Sequence, residues 1–224
     1  MASSGCDTDR VRGWFSSRVR RWYRADGRRA ALVVLSILSG SGGLGAQEFH
    51  VDTGARRVVR FVSRAPIEDF EGVTERIDGF VVVPAGGLKT GLMADGSEFY
   101  FEVDLASLDT GIGLRNRHMR ESYLETDAYP YATYSGRVVR VDAVAGGSFR
   151  ATVAGELEIH GIRRPLDIPC DLTPEGTGYR VGCAWSVKLS EHDVRIPRLM
   201  FMKINEEIRL EVDFAVRPAG DPGP

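Results

Sequence analysis

Two cysteines in the second half of the chain have a spacing that suits a disulfide bond. Cys170 and Cys183 flank a turn sequence, Glu-Gly-Thr-Gly at 175–178, that is centred midway between them. In a hairpin closed by that turn, the two residues face each other across antiparallel strands at the separation that a disulfide needs. The alternative is a reduced pair of buried cysteines that act as small apolar side chains. We favour a structural disulfide, because the chain has no Cys-x-x-Cys motif typical of a redox-active pair.

The histidines give no sign of a metal or catalytic site. They lack both the i,i+4 spacing and the cysteine partners of zinc sites. The chain also lacks a Gly-x-Ser-x-Gly elbow, a Gly-rich phosphate loop and a dinucleotide fingerprint. We therefore predict no catalytic residue, no cofactor and no metal ion, although an active site assembled from distant residues stays open. The four histidines are His50, His118, His160 and His192.

Charge is spread evenly over most of the chain and concentrated only at its N-terminus. The formal net charge is −2, with acidic and basic residues interspersed. This balance gives no basic surface of the kind that binds nucleic acid. The exception is a dense set of arginines among the first thirty residues: Arg10, Arg12, Arg18, Arg20, Arg21, Arg24, Arg28 and Arg29.

Residues 1–46 have the layout of a secretory signal peptide. The arginines precede an apolar run at 30–38, and small residues follow it up to Ala46. The apolar run is far shorter than the ~20 residues of a membrane-spanning helix. We predict cleavage after Ala46 and a periplasmic or secreted mature chain without a transmembrane span. An uncleaved anchor, a disordered basic arm and twin-arginine export stay open as alternatives.

The mature chain alternates between apolar and polar residues with the period of β-strands. At 98–105 the residues Phe99, Phe101, Val103 and Leu105 share one face, and at 208–216 every even-numbered residue is apolar. About eight such strands with Gly-rich turns predict a sandwich or a closed barrel. We predict one domain over 47–217 and a disordered Pro/Gly tail at 218–224. The other predicted strands are 57–62, 76–83, 131–141, 152–160, 164–172 and 179–189.

One segment, residues 113–124, departs from the strand pattern. Leu114, Met119 and Tyr123 have a spacing nearer to helical than to alternating. A proline at 130 stops a helix beyond this segment. We predict a short helix that covers one edge or end of the barrel.

Three groups of motifs resemble the YceI-like family of lipid- or polyisoprenoid-binding proteins. The first runs from Asp-Leu-Ala-Ser-Leu-Asp-Thr-Gly at 104–111 through Arg-Asn-Arg-His-Met-Arg at 115–120 to Tyr129-Pro130. The second is Gly-Glu-Leu-Glu-Ile-His-Gly-Ile-Arg-Arg-Pro-Leu at 155–166, and a weaker third lies at 60–72. They occur in the expected order and span most of 48–217. Asn116 stands where the family pattern has Asp, and Met119 where it has Leu.

The resemblance implies an antiparallel, lipocalin-like barrel around a long apolar tunnel. Polyisoprenoids, isoprenoid quinones or fatty amides would occupy it, and a homodimer is also implied. From the residues alone, inward aromatic side chains suit a packed core as well as a tunnel; the resemblance favours the tunnel. The predicted tunnel lining is Phe61, Phe99, Phe101, Val103, Leu157, Leu210 and Phe214.

The predicted helix is the best candidate for the mouth of this tunnel. Arg115, Arg117 and His118 lie on it, and guanidinium groups suit a phosphate or another polar head group. The alternative is that Arg115 and Arg120 form surface ion pairs with the nearby Asp109 and Glu121.

We thus expect a non-catalytic carrier of a long-chain amphiphile. A second hypothesis is an accessory to a membrane redox or isoprenoid enzyme, which a proton- or electron-transferring residue inside the tunnel would favour. A third is a packed, ligand-free barrel that binds a protein partner.

Overall fold

The fold is built from antiparallel strands and one short helix. The computed structural model describes residues 46–64, 69–84, 87–93, 97–196, 198–199, 202–203 and 205–221. The predicted signal peptide falls outside these residues except for Ala46. The strands are β1 (Gln47–Val51), β2 (Val58–Ser63), β3 (Phe70–Thr74), β4 (Ile77–Val83), β5 (Gly91–Leu92), β6 (Glu98–Asp104), β7 (Tyr131–Ala143), β8 (Phe149–Ile159), β9 (Ile162–Glu175), β10 (Gly178–Lys188), β11 (Arg198–Leu199), β12 (Met202–Lys203) and β13 (Glu207–Pro218).

Eight of these strands close into a barrel in the order β1-β4-β6-β7-β8-β9-β10-β13. Each neighbouring pair is antiparallel, and β13 returns to β1 through the pair Val216 and Val51. β2 pairs with the first half of β13, and β3 pairs with β2 on its other side. β5 pairs with β7, and β11 pairs with β12. The predicted all-β antiparallel barrel of about eight strands is confirmed.

The period-two pattern decides which side chains enter the barrel. On β13, Leu210 and Phe214 face the interior, as the alternation predicts. Their neighbours face outward, where Arg209 Nε donates to Glu211 Oε1 at 2.7 Å. On β6, Phe99 and Val103 face inward in the same way.

The helix predicted at 113–124 is present in two parts. An α-helix, α1, covers Gly113–His118. A π-helical turn continues it over Met119–Tyr123, where the Leu124 N–H donates to the carbonyl of Met119 at 2.8 Å. Short 3₁₀ turns lie at Leu105–Ser107, Ala145–Gly147 and Leu189–His192. Within the described residues, no helix has the length and hydropathy needed to cross a membrane.

The first strand was not among the predicted strands, and the last strand runs past the predicted end of the domain. In β1 only the last four residues, Glu-Phe-His-Val, alternate, and its pairing with β4 and β13 defines the strand. At the other end, the tail expected from Pro218 begins later. Pro218 is the last residue of β13, and the N–H of Ala219 donates to the carbonyl of Glu48 at 2.8 Å.

Candidate ligand-binding cavity

The interior of the barrel holds a cavity of about 760 Å³. A packed domain of this size usually has one contiguous core. Here the fully buried apolar side chains form three clusters around the cavity, one on β1, β2, β4 and β13, one on β7, β8 and β9, and one on β8, β10 and Val194. The cavity volume is within the range of small-molecule sites. The barrel is therefore hollow and not filled by its own side chains.

The sequence-predicted tunnel residues come together around this cavity. All seven line it, from β2, β6, β8 and β13. Their role as ligand contacts stays a prediction. The predicted lining left out other residues that face the cavity. Among these are Phe49, Leu108 and Tyr179.

Aromatic rings from β6, β7 and β13 form part of the cavity wall. The ring centroids of Phe99 and Tyr134 are 5.0 Å apart, and those of Phe101 and Phe214 are 5.1 Å apart. The Tyr134 hydroxyl is turned into the wall, where it donates to the carbonyl of Leu166 at 2.7 Å. Burial raises the pKa of Tyr134, so this hydroxyl stays protonated. The wall thus presents ring carbon atoms to the cavity.

The helix is attached to the barrel through Asn116. Its Oδ1 accepts from the backbone N–H of Thr110 at 2.8 Å and from the Thr110 hydroxyl at 2.7 Å. Its Nδ2 donates to Asp109 Oδ1 at 2.7 Å. The Asn116 amide and, next, the Gly111 N–H hold the pKa of Asp109 below its usual value. An aspartate at 116 would remove this donor and place a second carboxylate against Asp109.

Two of the three predicted mouth residues line the cavity. The Arg115 guanidinium carbon lies 4.9 Å from the centroid of the Phe70 ring, and Arg115 and His118 are part of the lining. Arg117 is exposed and lies outside the lining. Ile112 and Leu114 form an apolar rim beside them, with 48% and 57% of their surface exposed.

The alternative that Arg115 and Arg120 form surface ion pairs agrees with the structure only in part. Arg120 donates from Nη2 to the carbonyl of Leu108 at 3.1 Å, and its charge also contributes to the lowered pKa of Asp109. Arg115 instead lies over Phe70. Arg120 therefore holds the helix against the barrel, and Arg115 is placed at the opening.

Cys170 and Cys183 pair across β9 and β10 and are joined by a disulfide, with Cα atoms 4.3 Å apart. The next inward pair along the same two strands is Leu172 and Val181. All four residues line the cavity, so the disulfide is part of its wall.

Three of the histidines have different partners. His50 contacts Glu48 at 2.8 Å, and the ring of His160 packs on Tyr129 with centroids 4.3 Å apart. The Nδ1 atom of the buried His192 lies 3.0 Å from the carbonyl of Ile162. In the part of the chain that the structure describes, no three His, Cys, Asp or Glu side chains are grouped as metal ligands.

Comparisons with known proteins agree with this architecture. A UPF0312 protein of Vibrio campbellii is 29% identical over 100 residues, which are 42% of this chain and 51% of that protein. A UPF0312 protein of Pseudomonas savastanoi pv. phaseolicola is 29% identical over 107 residues, 46% of this chain and 54% of that protein. The chain thus spans about half the length of the curated relatives it matches.

Two solved structures share the fold at low identity. Burkholderia cenocepacia BcnA has a TM-score of 0.57 and 18% identity, with 74% of this chain and 98% of that chain covered. A polyisoprenoid binding domain from Saccharophagus degradans, implicated in plant cell wall breakdown, has a TM-score of 0.58 and 19% identity, with 76% and 98% covered. The model of the YceI-like domain matches residues 49–216, which run from within β1 to within β13 and so span the barrel. The chain belongs to the YceI-like family.

Proposed function

We propose that this protein carries a long-chain amphiphile in its barrel and catalyses no reaction. The observation that carries the proposal is the cavity of about 760 Å³ enclosed by apolar side chains of the barrel. Burying a hydrocarbon chain there contributes roughly 0.8 kcal/mol per CH₂ group. A polyisoprenoid, an isoprenoid quinone or a fatty amide supplies such a chain together with a polar head group for the opening at α1.

The relatives support this class of ligand. The structure from Saccharophagus degradans with the same fold is a polyisoprenoid binding domain. A similar tail would lie against the aromatic wall of this barrel, where Phe99 and Phe101 have ring centroids 6.0 Å apart.

The two competing hypotheses receive less support from the site. A packed barrel that binds a protein partner does not account for the cavity. An enzyme accessory needs a group in the tunnel that transfers protons or electrons. The Tyr134 hydroxyl, a titratable group of the aromatic wall, is bound to a carbonyl and has a raised pKa. His118 and Arg115 lie at the opening.

The proposal places the carrier outside the cytoplasm, in the periplasm or secreted. The N-terminal signal-like layout and the disulfide between Cys170 and Cys183 support this location, because structural disulfides persist in oxidising compartments. The homodimer implied by the family resemblance also belongs to the proposal. Cell fractionation tests the first point, and light scattering, with an expected mass of twice that of the chain, tests the second.

A variant with a bulkier side chain in the cavity lining tests the carrier function. Ala132 faces the cavity from β7 opposite Val103, whereas Ser135 on the same strand is exposed. We expect delipidated protein to unfold at a higher temperature when a prenylated quinone or a fatty amide is added. The Ser135→Trp variant should respond in the same way, and Ala132→Trp should respond less because its indole takes part of the cavity. A wild type whose unfolding temperature none of these lipids raises would contradict the proposal.

A further inference from the structure

Two polar groups in the apolar lining have no hydrogen-bond partner within the described part of the chain. They are the hydroxyl of Ser63 and the indole N–H of Trp185. Ser63 is only 1% exposed, and it continues the inward face of β2 after Val59 and Phe61. Buried polar groups in proteins are nearly always bonded, so such a pair requires an explanation.

The two groups lie on the same wall of the barrel. Ser63 pairs with Ile208 of β13, and Trp185 of β10 pairs with Leu210, two residues further along β13. The two residues are two strands apart around the barrel and two residues apart along the strands. Strand geometry therefore places their Cα atoms about 12 Å apart. Both residues line the same stretch of the cavity.

This stretch is at the helix end of the barrel. Ser63 pairs with Phe70, and the Arg115 guanidinium of α1 lies over the Phe70 ring. Trp185 packs in the cluster that also contains Tyr123 and Leu124 from the end of the helical segment. Ser63 and Trp185 thus line the part of the cavity next to the helical segment and Arg115.

The chemistry of the two groups selects the kind of atom that they can bind. An indole N–H only donates, and a serine hydroxyl donates readily to an oxygen acceptor. A charged phosphate is better matched by the cations at the opening, since burying an anion between neutral donors is costly. The partner that suits both groups is a neutral carbonyl oxygen.

We propose that Ser63 and Trp185 form a polar subsite that binds the carbonyl oxygen of a long-chain ligand. This inference rests on the proposed carrier function and narrows its ligand to quinones and amides, in preference to hydrocarbon isoprenoids. With the carbonyl group held at the helix end, the tail runs toward Leu88 and Tyr179, which pack against the apolar clusters farther from the helix.

Calorimetric titration of the delipidated full-length chain tests the subsite. The probes are a prenylated benzoquinone, an N-methyl fatty amide and a hydrocarbon isoprenoid of similar carbon number. For a carbonyl ligand that occupies the subsite, we expect Ser63→Ala and Trp185→Phe to raise the Kd about three- to tenfold. The Kd of the hydrocarbon should change by less than about twofold, because its contacts are apolar. If the variants weaken the binding of only the quinone or only the amide, that result identifies which of the two carbonyl classes the subsite takes.

Two controls keep the outcomes distinct. Ser186→Ala removes an exposed hydroxyl next to Trp185 on β10 and should leave every Kd unchanged. In the wild type, the Trp185 indole N–H resonance should move downfield when the carbonyl ligand is added. Carbonyl ligands that bind both variants and the wild type equally would overturn the subsite and leave the carrier function standing. Failure of all three probes to bind the wild type would overturn both.

Discussion

Cys170 and Cys183 lie directly opposite each other on β9 and β10, and the disulfide between them is part of the cavity wall. The bond fixes the register of the hairpin at the point where the two strands turn their apolar side chains inward. A slip of one residue would move Leu172 and Val181 out of the cavity and expose them to solvent. The disulfide therefore holds together the surface that the proposed ligand would contact.

Reduction of this bond is expected to destabilise the barrel. The two cysteines are 13 residues apart, and closing a loop of this size stabilises a protein by about 3 kcal/mol, chiefly through the unfolded chain. Guanidinium unfolding of Cys6→Ala protein with and without reductant measures the difference. In that background, thiol reagents should find no free thiol before reduction. Equal midpoints for the oxidised and reduced protein would show that the bond contributes nothing.

Gly72 is expected to be needed for the position of the Phe61 ring. The two residues pair across β2 and β3, and a Cβ atom at Gly72 would lie 2.2 Å from Cε1 of Phe61. Gly72→Ala should therefore push the ring into the cavity and destabilise the fold by about 1–3 kcal/mol. Chemical denaturation measures the loss, and ligand titration measures the reduced space.

A matched glycine separates this effect from the general effect of adding a methyl group. Around Gly182 a new Cβ would have no atom within 4 Å, so Gly182→Ala should change stability by less than about 0.5 kcal/mol. The double variant Gly72→Ala/Phe61→Leu should lose less stability than the two single variants lose together, since the smaller side chain removes the clash. Additive costs would rule out a contact between the two side chains.

Asn116→Asp is expected to make stability depend on pH. In the wild type the pKa of Asp109 lies below its usual 3.8. The ionised carboxylate therefore stabilises the fold above pH 3.8, and this stabilisation is lost as pH falls through the lowered pKa. The variant removes the amide donor and adds a like charge, which raises the pKa of the pair. Its stability deficit should therefore grow from about pH 4 to about pH 8.

Thermal unfolding of the wild type and the variant across this range measures that deficit. Asn116→Ala is the control, because it removes the amide donor without adding a charge. Its deficit should be constant once Asp109 is ionised. A deficit in Asn116→Asp that is equally independent of pH would show that the carboxylates do not interact.

Affinity is expected to rise with the length of the ligand chain until the cavity is filled. Each CH₂ group buried in the cavity contributes roughly 0.8 kcal/mol, or about a fourfold decrease in Kd. A homologous series of fatty amides should follow this slope and then level off. The length at which the slope ends reports the usable depth of the cavity. A Kd independent of chain length would mean that the tail lies outside the barrel.

The sequence predicts the barrel well where a strand has one solvent-exposed and one buried face. On β13 and β6 the alternation identifies inward residues such as Leu210 and Phe99, and both line the cavity. It does not reveal β3, whose inward Gly72 has no apolar side chain. Such a strand is defined by its partner, here β2, and not by its own pattern.

The nature of the interior could not be predicted from the residues, because a packed and a hollow barrel need the same apolar inward positions. Ser63 and Trp185 were missed for a related reason. An inward serine that follows Phe61 resembles an ordinary strand end, and only its burial without a partner distinguishes it. The role of Asn116 became clear only once Thr110 and Asp109 were seen around its amide.

The most direct test of the carrier function is mass spectrometry of the organic extract of the full chain, purified from an exporting host. The wild type and Ser135→Trp should release one class of long-chain amphiphile in near-stoichiometric amount. Ala132→Trp should release less, because its indole occupies part of the cavity that the tail would take. An extract without such a lipid, or equal amounts from the wild type and Ala132→Trp, would contradict the proposal that the cavity carries it.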